Sequence, residues 1–170
     1  YVFIQGPPGA GKTYTGSKII VELLKQGKRV GVTSNSHKAI NNMLAAVEER
    51  AREDGFRFQG AKKATADPET QFDGEMIENV GVTEDLNSRE PQLAAGTAWL
   101  FADPAFDDAF DYLFVDEAGQ VSLANLISVA TSAKNLVLLG DQMQLSQPIQ
   151  GVHPERSGDS ALDYLLDGMA

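Results

Sequence analysis

Residues 6–13 read Gly-Pro-Pro-Gly-Ala-Gly-Lys-Thr, matching G-x-x-x-x-G-K-[ST] at every specified position. No other stretch constrains the fold as much, because this pattern works only between a strand and a helix. Both neighbours agree. Tyr1-Val2-Phe3-Ile4 is an apolar run of strand length, and residues 13–26 place Ile19, Ile20, Leu23 and Leu24 at helical spacing. Gly6, Gly9 and Gly11 free the backbone, so that successive N–H groups can converge on a phosphate. The unpaired N–H groups at the start of the helix add positive partial charge at the same spot. The nucleotide-binding set is therefore Gly6, Pro7, Pro8, Gly9, Ala10, Gly11, Lys12, Thr13 and Tyr14. Lys12 suits the terminal phosphates of ATP and the Thr13 hydroxyl suits Mg²⁺.

Downstream the pattern alternates strand and helix, the signature of an α/β fold with a parallel β-sheet flanked by helices. Residues 28–33 read as a second strand. The polar turn Ser34-Asn35-Ser36 then caps a helix over about 37–52, with Ile40, Leu44 and Val47 on its inner face. Further strands are expected at 96–101, 112–115 and 135–139, with helices at 123–132 and 160–167. Residues 53–94 are polar and rich in Gly, Asp and Glu. They read as an insertion or long, partly mobile connection, with short strands near 56–59 and 79–83. Trp99 and the phenylalanines fall in strand-like segments and are expected in the core.

Composition narrows the class. The 170 residues are 42% hydrophobic and 22% charged, ordinary for one globular domain. No apolar run is long enough to span a membrane, and there is no signal-peptide pattern at the start. The absence of cysteine fits a cytoplasmic setting. Tyr1 already lies within the first strand pattern, so the chain is expected to be part of a longer protein. The net charge of −10 argues against a uniformly basic nucleic-acid binder, but the charge is uneven. Residues 1–63 balance at +6 and residues 64–170 at −16. His37 and His153 have no partners at metal-ligand spacing. The acidic group Asp103, Asp107, Asp108 and Asp111 reads as a solvated connection.

Two further segments carry chemistry. Tyr112-Leu113-Phe114-Val115 runs directly into Asp116-Glu117-Ala118-Gly119-Gln120. Ligands of open α/β sheets sit at the carboxyl ends of strands, so Asp116 suits the Mg²⁺ shell beside Thr13. Glu117, one residue further on, can orient and deprotonate an attacking water. The last strand ends in Gly140-Asp141-Gln142-Met143-Gln144-Leu145, where an amide could reach a γ-phosphate or that water.

Taken together and in this order, Gly-Pro-Pro-Gly-Ala-Gly-Lys-Thr, Asp-Glu-Ala-Gly-Gln and Gly-Asp-x-x-Gln-Leu resemble motifs I, II and III of superfamily 1 DNA/RNA helicases. The branch containing the RNA-surveillance and Okazaki-fragment-processing helicases is the nearest likeness. The resemblance implies a single RecA-like ATPase lobe over residues 1–170, with a second such lobe elsewhere in the same longer chain. It implies Lys12, Glu117 and Gln144 as catalytic, with Gln144 coupling nucleotide state to nucleic acid. It also makes Ser34, Asn35 and Ser36 similar to motif Ia, and Thr97 similar to the threonine motif before motif II. Both segments would hold the backbone of single-stranded DNA or RNA; a plain helix cap accounts equally well for Ser34–Ser36. The rival reading is a P-loop ATPase switch on nucleic acid or protein that unwinds nothing. A nucleotide kinase is a third, opposed by the Asp-Glu pair and the missing basic lid.

Overall fold

The computed structural model describes residues 1–7 and 9–141. It contains seven strands: β1 (Val2–Gln5), β2 (Val30–Thr33), β3 (Gly60–Lys63), β4 (Ile77–Val80), β5 (Leu93–Gly96), β6 (Phe110–Val115) and β7 (Ala133–Gly140). Five α-helices connect them: α1 (Lys12–Lys25), α2 (His37–Glu53), α3 (Thr83–Ser88), α4 (Ala98–Phe101) and α5 (Leu123–Ala130). The strands form one sheet in the order β1-β7-β6-β2-β5-β3-β4, and every pairing is parallel. The expected architecture, a parallel sheet flanked by helices, is therefore what forms.

Side chains alternate across a strand, and here the alternation sorts them into two cores. Val30 and Val32 of β2, Phe114 of β6, and Val137 and Leu139 of β7 meet α1 and α2 on one face. Leu113, Val115 and Leu138 meet α4 and α5 on the other. The anticipated inner face of α2 is buried in the first core, with Ile40, Leu44 and Val47 all fully shielded.

Three expectations fail. Residues 53–94, read as an insertion or long connection, instead contribute β3, β4 and the first half of β5 to the sheet. The short strands expected near 56–59 and 79–83 lie at Gly60–Lys63 and Ile77–Val80. The strand expected over 96–101 is also wrong: β5 ends at Gly96, and Ala98–Phe101 is a helical turn. Packing explains that correction. The turn buries Leu100 and Phe101, and the Phe101 ring lies 2.7 Å from where a Cβ on Gly31 would stand. With Gly31 bare, the ring seats against β2 and the apolar run folds inward. Trp99, expected in the core, consequently points outward and is 88% exposed. The helix expected at 160–167 lies outside the described residues. Among the described residues no helix is long and apolar enough to cross a membrane.

Candidate nucleotide and nucleic-acid site

β1 delivers the chain to the phosphate-loop sequence at the carboxyl edge of the sheet. The Gly6 N–H donates to the Gly140 carbonyl at 3.2 Å, extending the ladder between β1 and β7 by one rung. The chain then turns through Gly9 and Gly11, both at φ +79°, a conformation that a Cβ would strain. Gly11 is the N-cap of α1 and supplies no side-chain cap, and no acidic residue stands in the first turn. The first-turn N–H groups, which usually find a capping side chain, are left facing outward with the positive end of the helix dipole. Lys12 folds back over the loop, its Nζ donating to the carbonyls of Gly6 and Pro7, the latter at 2.9 Å. Tyr14 is exposed beside it, with the Lys18 ammonium 4.3 Å from its ring centroid. Ala10 closes the turn through its N–H to the Pro7 carbonyl. Pro8 lies outside the described residues.

The second part of the site sits at the end of β6. Asp116 is only 8% exposed; its N–H donates to the Thr33 carbonyl and its Oδ1 accepts the Glu117 N–H at 2.9 Å. Burial raises its pKa above the usual carboxylate range, and the neighbouring Glu117 charge pushes the same way. The Glu117 amide and the Lys12 ammonium oppose that rise. In the sheet, β1 and β6 lie on either side of β7, so the loop after β1 and the strand end of β6 meet at the same carboxyl edge. Glu117 itself adopts φ 54°, ψ 37°, in the left-handed region. For a residue carrying a Cβ this costs about 1–2 kcal/mol, which the fold sustains at the point where the carboxylate is presented.

The loop after β2 is tied to this corner. The Ser34 hydroxyl donates to Glu117 Oε2 at 3.4 Å, and Asn35 Nδ2 donates to the Gln120 carbonyl at 2.7 Å. Ser36 is the N-cap of α2, its Oγ accepting the Ala39 N–H at 3.1 Å. Thr97, the N-cap position of α4, makes no side-chain capping bond. The carboxyl ends of β2 and β5 are neighbours, Thr33 standing opposite Gly96. Gln144 lies outside the described residues. Sequence reasoning missed the bonds from Ser34 and Asn35, which join residues more than eighty positions apart, and the exposure of Trp99.

Residues 1–154 match the AAA domain family. The chain belongs to the AAA domain family. Among curated proteins this AAA domain is similar to the DNA replication ATP-dependent helicase/nuclease DNA2 of Saccharomyces cerevisiae, 29% identical over 99% of this chain and 12% of that protein. It is 30% identical to DNA2 of Bos taurus over 85% of this chain and 14% of that protein. The Arabidopsis thaliana helicase/nuclease JHS1 is 29% identical over 93% of this chain and 12% of that protein. The chain thus spans well under a fifth of these relatives. Among solved structures, a nuclease-deletion mutant of the Type ISP restriction-modification enzyme LlaGI with a DNA substrate mimic superposes at TM-score 0.54, 14% identity, covering 99% of this chain and 18% of that one. Arterivirus nonstructural protein 10, a helicase in complex with DNA, gives 0.50 at 17% identity over 92% of this chain and 31% of that one. With the three motifs, the likeness to the DNA2 and JHS1 helicase/nucleases makes this AAA domain a RecA-like lobe of the superfamily 1 helicase type, and the solved structures share its fold.

Proposed function

We propose that this AAA domain binds Mg-ATP between α1 and the end of β6, and hydrolyses it to drive movement along single-stranded nucleic acid. One observation carries the reading most strongly: the N-terminus of α1 has neither side-chain cap nor first-turn acid, and β1, which leads to it, stands one strand away from β6, which ends at Asp116. Backbone N–H groups after Gly9 and Gly11 would hold the phosphates. Lys12 would exchange its carbonyl partners for the terminal phosphate oxygens, a better match for a point charge. Glu117 would take a proton from the attacking water as it attacks in line, the bond to the leaving phosphate opening on the far side.

The donors suit a hard cation that binds few protein groups. The Thr13 hydroxyl has no hydrogen-bond partner among the described residues, and Asp116 offers a buried carboxylate. No cluster of three or more His, Cys, Asp or Glu residues among the described residues makes a self-sufficient metal cage, so Mg²⁺ would arrive with the nucleotide. When bound, it would neutralise charge on the phosphate oxygens.

The relatives' greater length supports a second RecA-like lobe elsewhere in a longer chain, which would complete the site and let hydrolysis open and close the two lobes. The test is steady-state ATP turnover with and without single-stranded DNA and RNA, with Lys12→Ala as control. Stimulation by a polymer, lost in the variant, is expected. Turnover indifferent to both polymers would favour a switch ATPase that unwinds nothing.

A further inference from the structure

Trp99 is the single tryptophan of the chain, and at 88% exposure it is the most solvent-exposed large apolar side chain among the described residues. Its setting is rigid. Leu100 and Phe101, the next two residues, are anchored in the core, so α4 holds the indole out on a fixed turn. Its place in the fold is also specific. Ala98 lines the same narrow crevice as Thr33, Ser34 and Asn35, so α4 starts against the loop that is bonded to Glu117 and Gln120.

The polar groups around it divide sharply. Ser34, Asn35 and Ser36 each spend a side-chain polar group on the protein itself. The Thr97 hydroxyl makes no capping bond and no other hydrogen bond among the described residues. That hydroxyl and a rigid, uncovered indole two residues on match single-stranded nucleic acid, which offers phosphates and the flat faces of bases side by side.

We infer that Trp99 is a stacking platform for a base of single-stranded DNA, with Thr97 holding the adjoining backbone. The inference rests on the nucleic-acid reading above and deepens it by naming the residue that meets the bases. Stacking on every base's π-face is sequence-tolerant, as a track for movement requires.

The experiment uses the 170-residue chain, fluorescein-labelled oligo-dT and an abasic oligomer of the same length. Anisotropy reports binding, and emission excited at the red edge of the absorption band, where tyrosine does not absorb, reports Trp99 alone. The expected result is quenching of Trp99 in step with the anisotropy rise on oligo-dT. Trp99→Ala should weaken that binding about tenfold or more, and Trp99→Phe should restore most of it. The abasic oligomer should bind wild type and Trp99→Ala alike. If oligo-dT binds with Trp99 unperturbed and Trp99→Ala equally tight, stacking is overturned while the nucleic-acid reading stands. If no oligomer binds, both fall. An indole already shielded from acrylamide before DNA is added would also overturn the proposal, by showing that protein covers it.

Discussion

Two helices begin at the same edge of the sheet, two strands apart, and they begin differently. α1 starts at Gly11 with no cap and no acid in its first turn. α2 starts at Ser36 with its N–H groups met by a side chain, and the two residues before it are bonded across to the 117–120 turn. Both helices bury an apolar face in the same core. The difference therefore lies in how the ends are spent. α1 leaves its first N–H groups without a side-chain cap, whereas the end of α2 is closed and serves as a brace between the strand ends of β2 and β6.

The sharpest way to break this comparison is to empty the open end. Lys12→Ala should lower ATP turnover about 10²-fold or more, since on the proposed reading it removes the cation that would meet developing phosphate charge. Folding should barely change, because Lys12 bonds only loop carbonyls; thermal melting should stay within about 0.5 kcal/mol of wild type. A large loss of stability in Lys12→Ala would mean that the loop is a structural element rather than a ligand cradle.

Asp116→Asn tests the same end from the opposite side and should separate activity from stability. Burial and the Glu117 charge raise the Asp116 pKa in the folded chain. The folded state thus binds the proton more tightly than the unfolded state, and ionisation costs stability as pH rises from the ordinary carboxylate range through the raised value. At pH 7 that cost is fully present, so Asp116→Asn should melt a few degrees higher, at about 2–4 °C per kcal/mol regained. The gain should vanish at acid pH, where both states are protonated. Turnover should be lost throughout. A variant less stable than wild type at pH 7 would show that the carboxylate is a structural anchor.

The open end was legible in the sequence and the braced end only half so. Glycines, a lysine and a hydroxyl at fixed spacing carry their mechanism locally, within eight residues. Ser36 was legible as a cap for the same reason. The bonds from Ser34 to Glu117 and from Asn35 to Gln120 depend on β2 and β6 lying side by side, which no local pattern states. The strands behave alike. β6 is aromatic and branched and reads as a strand on its own. β3 is Gly-Ala-Lys-Lys and β5 is Leu-Ala-Ala-Gly, weak strand formers held between neighbours that leave little room. The Trp-Leu-Phe run of α4 has strand composition, yet it turns helical because bare Gly31 and Gly96 receive Phe101 and Leu100.

The brace predicts a smaller pair of effects with opposite signatures. Ser34→Ala removes a hydroxyl that steadies Glu117 and should lower kcat several-fold while leaving KM for ATP unchanged. Ser36→Ala removes the cap and should cost about 1 kcal/mol of stability with kcat unchanged. Chemical denaturation and steady-state kinetics on both variants check the pair. Equal kinetic behaviour would erase the distinction between bracing and capping.

A third loop at this edge extends the comparison to a fully closed end, and its effect should be the smallest. Lys62, near the carboxyl end of β3, is completely buried and its Nζ donates to the Thr70 carbonyl. Burial lowers its pKa from 10.5 to about 8. Between those values the unfolded chain keeps a proton that the folded chain has released, so wild type gains stability as pH rises through this window. Below it both states are charged and the burial penalty is constant. Lys62→Met fills the same space without charge, and Thr70 is accessible enough for water to take the vacated carbonyl. The variant should melt a few degrees above wild type at pH 7, the lost bond to Thr70 offsetting part of the relieved burial cost, with the difference shrinking as pH rises toward 10.5. ATP turnover should not change, since this cation is spent on the protein and faces no phosphate. A variant that melts lower at pH 7 would mean that the bond to Thr70 outweighs the buried charge.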